Sequence, residues 1–269
     1  MEKSEGVLTM QNGEIIFNRE LNAGYFHVSF YAPEIAAKAR AGQFVHVKIA
    51  NLRDRILRRP FSIENADPAT GAVDVVYKVV GEGTAVLAEC KSGTVCDLMG
   101  PLGNGFSDCP EDATPVLITG GYGVAATRLC ASARQGGILL AGARSANDLL
   151  LLDDYRNLGY DVRVATNDGS AGSKGFVTGL LDELLKANPG RKFAFRACGP
   201  HPMLLALAKI LPDAGYPEAE LSLDHLMCCG VGACFACVVK LNDGNGGWRF
   251  SRSCSEGPVF LAKDVYTGE

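Results

Sequence analysis

The chain has 269 residues, 47% of them hydrophobic, which is more length than one domain ordinarily takes and enough apolar surface for more than one core. Its formal charge of -4 and pI near 5.7 come with scattered basic residues, an arrangement that argues against a nucleic-acid backbone or an anionic membrane as partner. Met1 to Met10 lacks the charged-then-apolar pattern of a signal segment and no run approaches about 18 uncharged apolar residues, so a soluble, cytoplasmic protein is expected.

Up to about position 103 the chain alternates apolar and polar residues in short runs: Tyr25 to Phe30, Phe44 to Ile49 and Val73 to Val80, separated by Gly and Pro turns. That period of two predicts a small antiparallel barrel. Thr84 is expected to cap a helix running to Cys90, and Gly100 to Gly105 reads as a turn-rich exit. From Pro115 strand-like and helix-like segments alternate: Val116–Thr119, Val124–Gln135, Gly137–Gly142, Asn147–Tyr155, Tyr160–Ala165, Val177–Lys186, Lys192–Ala197 and Met203–Leu211. This alternation predicts a parallel α/β sheet. Beyond Pro217 the chain turns rich in Cys and Gly, with Val238–Leu241 and Trp248–Ser251 flanking Asp243-Gly244-Asn245-Gly246-Gly247 as a hairpin. So short a segment has too few apolar residues for a core of its own and gains from a metal centre. The expected organisation is multidomain: an antiparallel β-barrel over 1–106, an α/β parallel-sheet domain over 107–215 and a small C-terminal cluster domain over 216–269.

Ten cysteines occur, five of them at or after position 228. Crowding of that kind in a reducing compartment points to metal ligation. Cys229, Cys234, Cys237 and Cys254 have the spacing C-x4-C-x2-C followed by a distant cysteine, the plant-type pattern of [2Fe-2S] ligation. Choosing Cys228 instead would lengthen the first interval to C-x5-C. Gly230 and Gly232 let the loop curl with its amides turned toward sulfur. A four-cysteine zinc site in a non-catalytic, partner-binding protein is the alternative, although zinc sites usually show two short Cys pairs and only one is present.

Arg59-Pro60-Phe61-Ser62, after Arg58, offers a cation and a hydroxyl to a pyrophosphate, and Gly83-Thr84 at a helix start adds a second anion-binding feature. Together they point to one phosphate-bearing ligand. Gly120-Gly121-Tyr122-Gly123, between strand and helix, reads equally as a nucleotide-phosphate turn or a merely tight connection. Cys198-Gly199-Pro200-His201-Pro202-Met203 follows the last clear strand, so both turns are expected at the carboxyl edge of the sheet. His201 reads as a loop residue, and Cys90, Cys96, Cys109 and Cys130 as ordinary thiols.

These motifs, in this order, resemble the ferredoxin reductase superfamily and, within it, the electron-transfer subunits of NAD-dependent dihydroorotate dehydrogenases (dihydroorotate dehydrogenase B). The resemblance extends over nearly the whole chain. It includes Gly100 to Phe106, Gly142-Ala143-Arg144, Ala165 to Ser170, Lys174 to Thr178, Ala197 to Pro200 and Cys254 to Phe260. It implies FAD held by Arg59, Pro60, Phe61, Ser62, Val76, Tyr77, Lys78, Gly83 and Thr84. It further implies NAD at Gly120, Gly121, Gly123, Cys198, Gly199 and Pro200, with Cys198 positioning the nicotinamide. Members often have an aliphatic residue in place of Tyr122 and proline in place of Ala126. The implied role is to take electrons through the cluster from an FMN-containing catalytic subunit that oxidises dihydroorotate, in a heterotetramer with two copies of each subunit, and to pass them through FAD to NAD. A subunit of an NADH-dependent ferredoxin:NADP oxidoreductase or of a sulfide dehydrogenase has the same layout and is the nearest alternative.

Overall fold

The alternating N-terminal runs become strands whose inward residues fill a barrel. The computed structural model describes residues 8–22, 24–50, 52, 55–224 and 226–268. Its first elements are β1 (Thr9–Asn22), β2 (Tyr25–Tyr31), the short α1 (Pro33–Ala36), β3 (Phe44–Lys48), β4 (Arg59–Asp67), β5 (Ala72–Lys78), α2 (Glu82–Glu89) and β6 (Val95–Leu102). The six strands close in the order β1-β2-β5-β4-β3-β6. Val28 and Phe30 of β2 lie opposite Val75 and Val73 of β5 and point inward, while His27, Ser29 and Asp74 alternate outward. The long β1 pairs with β6 through its first half and with β2 through its second, and register shifts between Ile15 and Phe17 and between Ile63 and Asn65 give the curvature that closure requires.

The second half begins with β7 (Thr114–Gly120), α3 (Val124–Ala133), β8 (Gly137–Ala143), α4 (Leu152–Asn157), β9 (Tyr160–Thr166), β10 (Ser173–Lys174) and α5 (Val177–Ala187). It continues with β11 (Phe193–Cys198), α6 (His201–Asp213), β12 (Glu220–Ser222), β13 (Val238–Asn242), β14 (Trp248–Arg252), α7 (Ser253–Glu256) and β15 (Val259–Leu261). The large sheet has the order β10-β9-β8-β7-β11-β12-β15, parallel except at its β15 edge. Val177, Leu180, Leu181 and Leu184 recur at helical spacing along α5 and are buried against Ile118 and Leu140. Among the described residues, no helix is long and apolar enough to cross a membrane.

Four local expectations change, the simplest being that His201, expected in a loop, is the first residue of α6. Thr84 is not the cap of α2: Gly81 occupies that place, and Thr84 Oγ1, one turn in, accepts from the Val80 and Gly81 amides at 2.9 and 3.2 Å. The single helix expected over Asn147–Tyr155 splits into a 3₁₀ turn at Ala146–Asp148 and α4, with Leu151 between them at φ 57°. Asp148 is drawn out of helical register by the barrel, since Tyr25 Oη donates to Asp148 Oδ1 at 2.8 Å and Lys78 Nζ approaches it at 3.3 Å. The exit at Gly100 is still strand, because β6 runs through Leu102.

The cysteine-rich tail has no independent core. Val239, Leu241 and Val265 pack into the same cluster as Leu207 and Leu211, and β12 and β15 extend the parallel sheet. The barrel meets this tail through Asn104, whose amide donates to Gly257 O at 2.6 Å and whose side chain donates to Glu256 O at 3.0 Å. A Cβ on Gly103 would come within 2.6 Å of Pro258 Cδ and 2.8 Å of Gly257 O, which is why only glycine fits there.

Tyr155 is fully buried and its hydroxyl donates to Val124 O at 2.7 Å while sitting 2.8 Å from Thr127 Oγ1, fastening α4 to the start of α3. Tyr155→Phe is expected to lower unfolding stability by about 1–2 kcal/mol in urea titrations, the value of a buried hydrogen bond whose partners stay behind.

Candidate functional site

Three groups of residues meet around a cleft between barrel and sheet. The first is on the barrel. Arg59 opens β4, and a Cβ on Gly83 would lie 2.8 Å from its Nε, so the guanidinium rests on the bare first turn of α2. A cation at a helix N-terminus is an anion cradle. Of the other residues expected at the flavin, Phe61 and Tyr77 turn their rings into the barrel core, 5.6 Å apart, so only their backbones can meet a ligand. Val76 packs with Leu117 and Leu139 under the sheet domain, and Lys78 is held by Tyr25 and Asp148.

The second group lies at the carboxyl ends of β7 and β11. These neighbours run parallel, and the chain leaves β7 toward β8 on one side and returns with β11 on the other, which makes the crevice between them the topological switch point. The two expected turns touch each other. A Cβ on Gly123 would lie 2.4 Å from Cys198 O, one on Gly120 2.5 Å from Pro200 Cδ, and one on Gly199 2.8 Å from the Gly120 amide. The glycines thus set the approach of one turn to the other as much as access for a ligand. Tyr122, 55% exposed, stands at the mouth, close enough to Asp224, Cys198, Tyr25 and Lys78 to feel their charges; burial and then Asp224 push its hydroxyl pKa up.

Asp224 was not singled out from the sequence. It follows β12 by two residues, at the same carboxyl edge, and joins the two groups: Cys198 Sγ donates to its Oδ1 at 3.8 Å and the Ser62 hydroxyl of the flavin motif hydrogen-bonds to it. Desolvation pushes its carboxyl up toward about 7, against the lowering pull of its own amide, Cys198 and Ser62, while the exposure of the residue lets solvent screen part of that rise. The Cys198 thiol is itself raised well above the usual range, by burial first and by Asp224 next.

The third group is the cysteine loop. The amides of Gly232 and Ala233 donate to Cys254 Sγ at 3.2 Å and Cys229 Sγ at 3.3 Å, and the Cys254 amide to Cys237 Sγ at 3.4 Å. Burial opposes ionisation of Cys229, but hydrogen bonds from Val231, Cys234 and Ala233 outweigh it and bring the thiol down to about 6. Cys229 hydrogen-bonds to Cys234 and Cys237 to Cys254, so the four expected ligand sulfurs fall into two pairs, and Cys228 also hydrogen-bonds to Cys234. Among the described residues no three of these sulfurs lie within 4.8 Å of one another. Tetrahedral zinc, with Zn–S near 2.3 Å, would bring all four to about 3.8 Å. Two pairs suit a centre with two metal ions, and amides aimed at sulfur suit a negatively charged one. The hairpin β13–β14 carries Cys237 and Cys254 at its open end. The loop rests on the barrel wall, where Phe44, Met99 and Leu102 pack against Cys237 and Cys254.

Comparison with known proteins finds two matching families. The family described as the iron-sulfur cluster binding domain of dihydroorotate dehydrogenase B matches residues 224–266, and the oxidoreductase FAD-binding domain matches residues 20–106. The dihydroorotate dehydrogenase B (NAD(+)) electron transfer subunit of Fusobacterium nucleatum subsp. nucleatum is 38% identical over 230 residues, covering 83% of this chain and 86% of that one. The chain belongs to the dihydroorotate dehydrogenase B electron transfer subunit family. Its Bacillus cereus relative is 35% identical over 269 residues, covering 96% and 99% of the two chains. Among solved structures, that of an NADH-dependent reduced ferredoxin-NADP oxidoreductase, described for flavin-based electron bifurcation, superposes with a TM-score of 0.78 at 29% identity, covering 94% of this chain and 89% of that one. A ferredoxin reductase of carbazole 1,9a-dioxygenase shares the fold, with a TM-score of 0.67 at 24% identity over 78% and 67% of the chains. As in its family, this chain is a flavoprotein oxidoreductase subunit that carries FAD and an iron-sulfur cluster and works with a catalytic partner subunit.

A carboxyl raised from 3.8 to about 7 costs folding stability as pH climbs between those values and leaves it unaffected below them. Infrared difference spectra of flavin-free protein are expected to show a carboxyl that stays protonated above the ordinary aspartate range. Asp224→Asn should remove that band, and the variant should gain stability over the parent protein as pH rises through the same window.

Proposed function

We propose that this chain receives electrons from a dihydroorotate-oxidising catalytic subunit and delivers them to NAD. The observation that carries the reading is the placement of the paired cysteines against the barrel wall, with the Arg59–Gly83 cradle and the β7–β11 crevice on the same two domains. FAD is taken to lie along Arg59, Pro60, Ser62, Gly83 and Thr84, with backbone contacts from Phe61, Val76, Tyr77 and Lys78. NAD is taken to enter at Gly120, Gly121, Gly123, Cys198, Gly199 and Pro200, and the cluster to be held by Cys229, Cys234, Cys237 and Cys254. The divisions 1–106, 107–215 and 216–269 serve these three tasks.

When bound, the cluster passes single electrons, nicotinamide exchanges hydride, and flavin couples the two regimes. The protein's part is to bind and orient. Arg59 and the α2 amides neutralise phosphate charge. Cys198 and Asp224 hold the nicotinamide side of the cleft against Ser62, and loop amides stabilise thiolate sulfur.

The partner is proposed to carry FMN and to form a heterotetramer with two copies of each chain. Val231 and Phe235 of the cysteine loop, 49% and 60% exposed, offer it an apolar docking surface. Phe235 keeps that exposure at φ 58°, in the left-handed region. Ten cysteines with no disulfide among them suit the reducing cytoplasm, where we place the protein.

With the partner present, Cys234→Ala is expected to reduce dihydroorotate-dependent NAD reduction about a hundredfold or more, while NADH oxidation by the chain with an artificial flavin acceptor stays within about threefold. Undiminished dihydroorotate-driven turnover in the variant would contradict the reading. Turnover supported by reduced ferredoxin and not by dihydroorotate would transfer the chain to the ferredoxin:NADP alternative.

A further inference from the structure

His46 sits in the middle of β3 on the outer face of the barrel, with Phe44, while Val45 and Val47 point into the barrel core. It is fully buried, and among the described residues neither Nδ1 nor Nε2 has a hydrogen-bond partner. In either protonation state an imidazole carries at least one N–H, and a buried N–H without an acceptor is rare in native structures. Arg58, the nearby cation, has no acceptor to offer and is itself engaged with Asp97 O at 2.7 Å and the Asp97 carboxylate.

What covers His46 is the cysteine loop. A Cβ on Gly230, the residue after Cys229, would lie 2.8 Å from His46 Cε1 and 3.0 Å from each ring nitrogen, so the loop backbone rests directly on the ring. Met99, opposite His46 on β6, and Phe44, two residues away on β3, both pack against Cys237 and Cys254. The unpartnered ring therefore belongs to the wall against which the four cysteines are held. On its other flank His46 pairs with Pro60 of β4, the residue after Arg59.

We propose that His46 donates a ring N–H to the iron-sulfur centre held by Cys229, Cys234, Cys237 and Cys254 and raises its reduction potential. The inference rests on the cluster reading above. A hydrogen bond to cluster sulfur favours the more negative, reduced state, so its removal shifts the balance toward the oxidised state. No change in the protonation of His46 is needed.

The test uses full-length protein with FAD, in the parent form and as His46→Leu and His46→Gln. Iron and acid-labile sulfide are measured first, so an absent cluster in the parent protein would count against the cluster reading rather than against His46. His46→Leu is expected to lower the cluster midpoint, raising the oxidised-to-reduced ratio at fixed potential about five- to tenfold, the effect of one hydrogen bond. The flavin midpoint should not move, and His46→Gln, which keeps an N–H donor, should recover most of the loss. Pulsed EPR of the reduced cluster in ¹⁵N-histidine-labelled protein should show a coupling that His46→Gln abolishes. An unchanged midpoint in cluster-replete His46→Leu, a shift confined to the flavin, or a histidine coupling that survives His46→Gln would overturn the proposal. Should His46→Leu assemble no cluster, the labelled parent and His46→Gln spectra decide.

Discussion

Amides turned toward sulfur are the interaction on which the rest of this molecule depends. Four thiolates carry more negative charge than a loop of this length tolerates without compensation. The Gly232, Ala233 and Cys254 amides supply it by pointing at Cys254, Cys229 and Cys237. Gly232, at φ 79°, makes the inward turn possible. The same loop has little apolar material of its own, so it is stabilised from outside: by Phe44, Met99 and Leu102 of the barrel on one side and by the sheet core that absorbs Val239 and Leu241 on the other. The cluster-binding tail is in this sense a graft on two domains, and its position beside the flavin barrel follows from its need for their surfaces.

A second constraint shapes the cleft. The turns after β7 and β11 are packed so closely that Gly120, Gly123 and Gly199 each exclude a Cβ, and the acid that closes the group, Asp224, comes from the end of β12. Ser62 from the barrel, Cys198 from β11 and Asp224 therefore converge from three separate stretches of chain. The contacts of Asp148 with Tyr25 and Lys78, and of Arg128 with Glu64 at 3.7 Å, tie the sheet domain to the barrel around this cleft. Any ligand spanning barrel and sheet thus meets a frame whose halves are already joined by partly buried polar contacts.

Features written in local chemistry were legible in the sequence. The cysteine spacing pointed to a C-terminal iron-sulfur centre, the period of two identified the barrel, and alternation of strands and helices identified the parallel sheet. Thr84 and Asn147–Tyr155 misled because each local preference was overridden by a contact far away in the chain. Glycine could cap α2 while Thr84 bonded back to it, and Asp148 was pulled toward Tyr25. Phe61 and Tyr77 looked like flavin contacts by motif, yet the pleat sends their rings into the core. Asp224 and His46 were invisible for a related reason: an acid beyond a three-residue strand and a lone histidine in an apolar strand carry no local signal. The first could have been flagged as a polar residue at the carboxyl edge of a sheet strand; the second emerges only when Gly230 is seen lying on its ring.

The most direct test of the account is the metal, sulfide and flavin content of anaerobically purified chain, read together with its visible spectrum before and after NADH. Two irons, two acid-labile sulfides and one FAD per chain, with bleaching by NADH, are the predicted result. A single zinc with neither sulfide nor flavin would contradict it, since the paired sulfurs and the Arg59 cradle would then serve no redox centre.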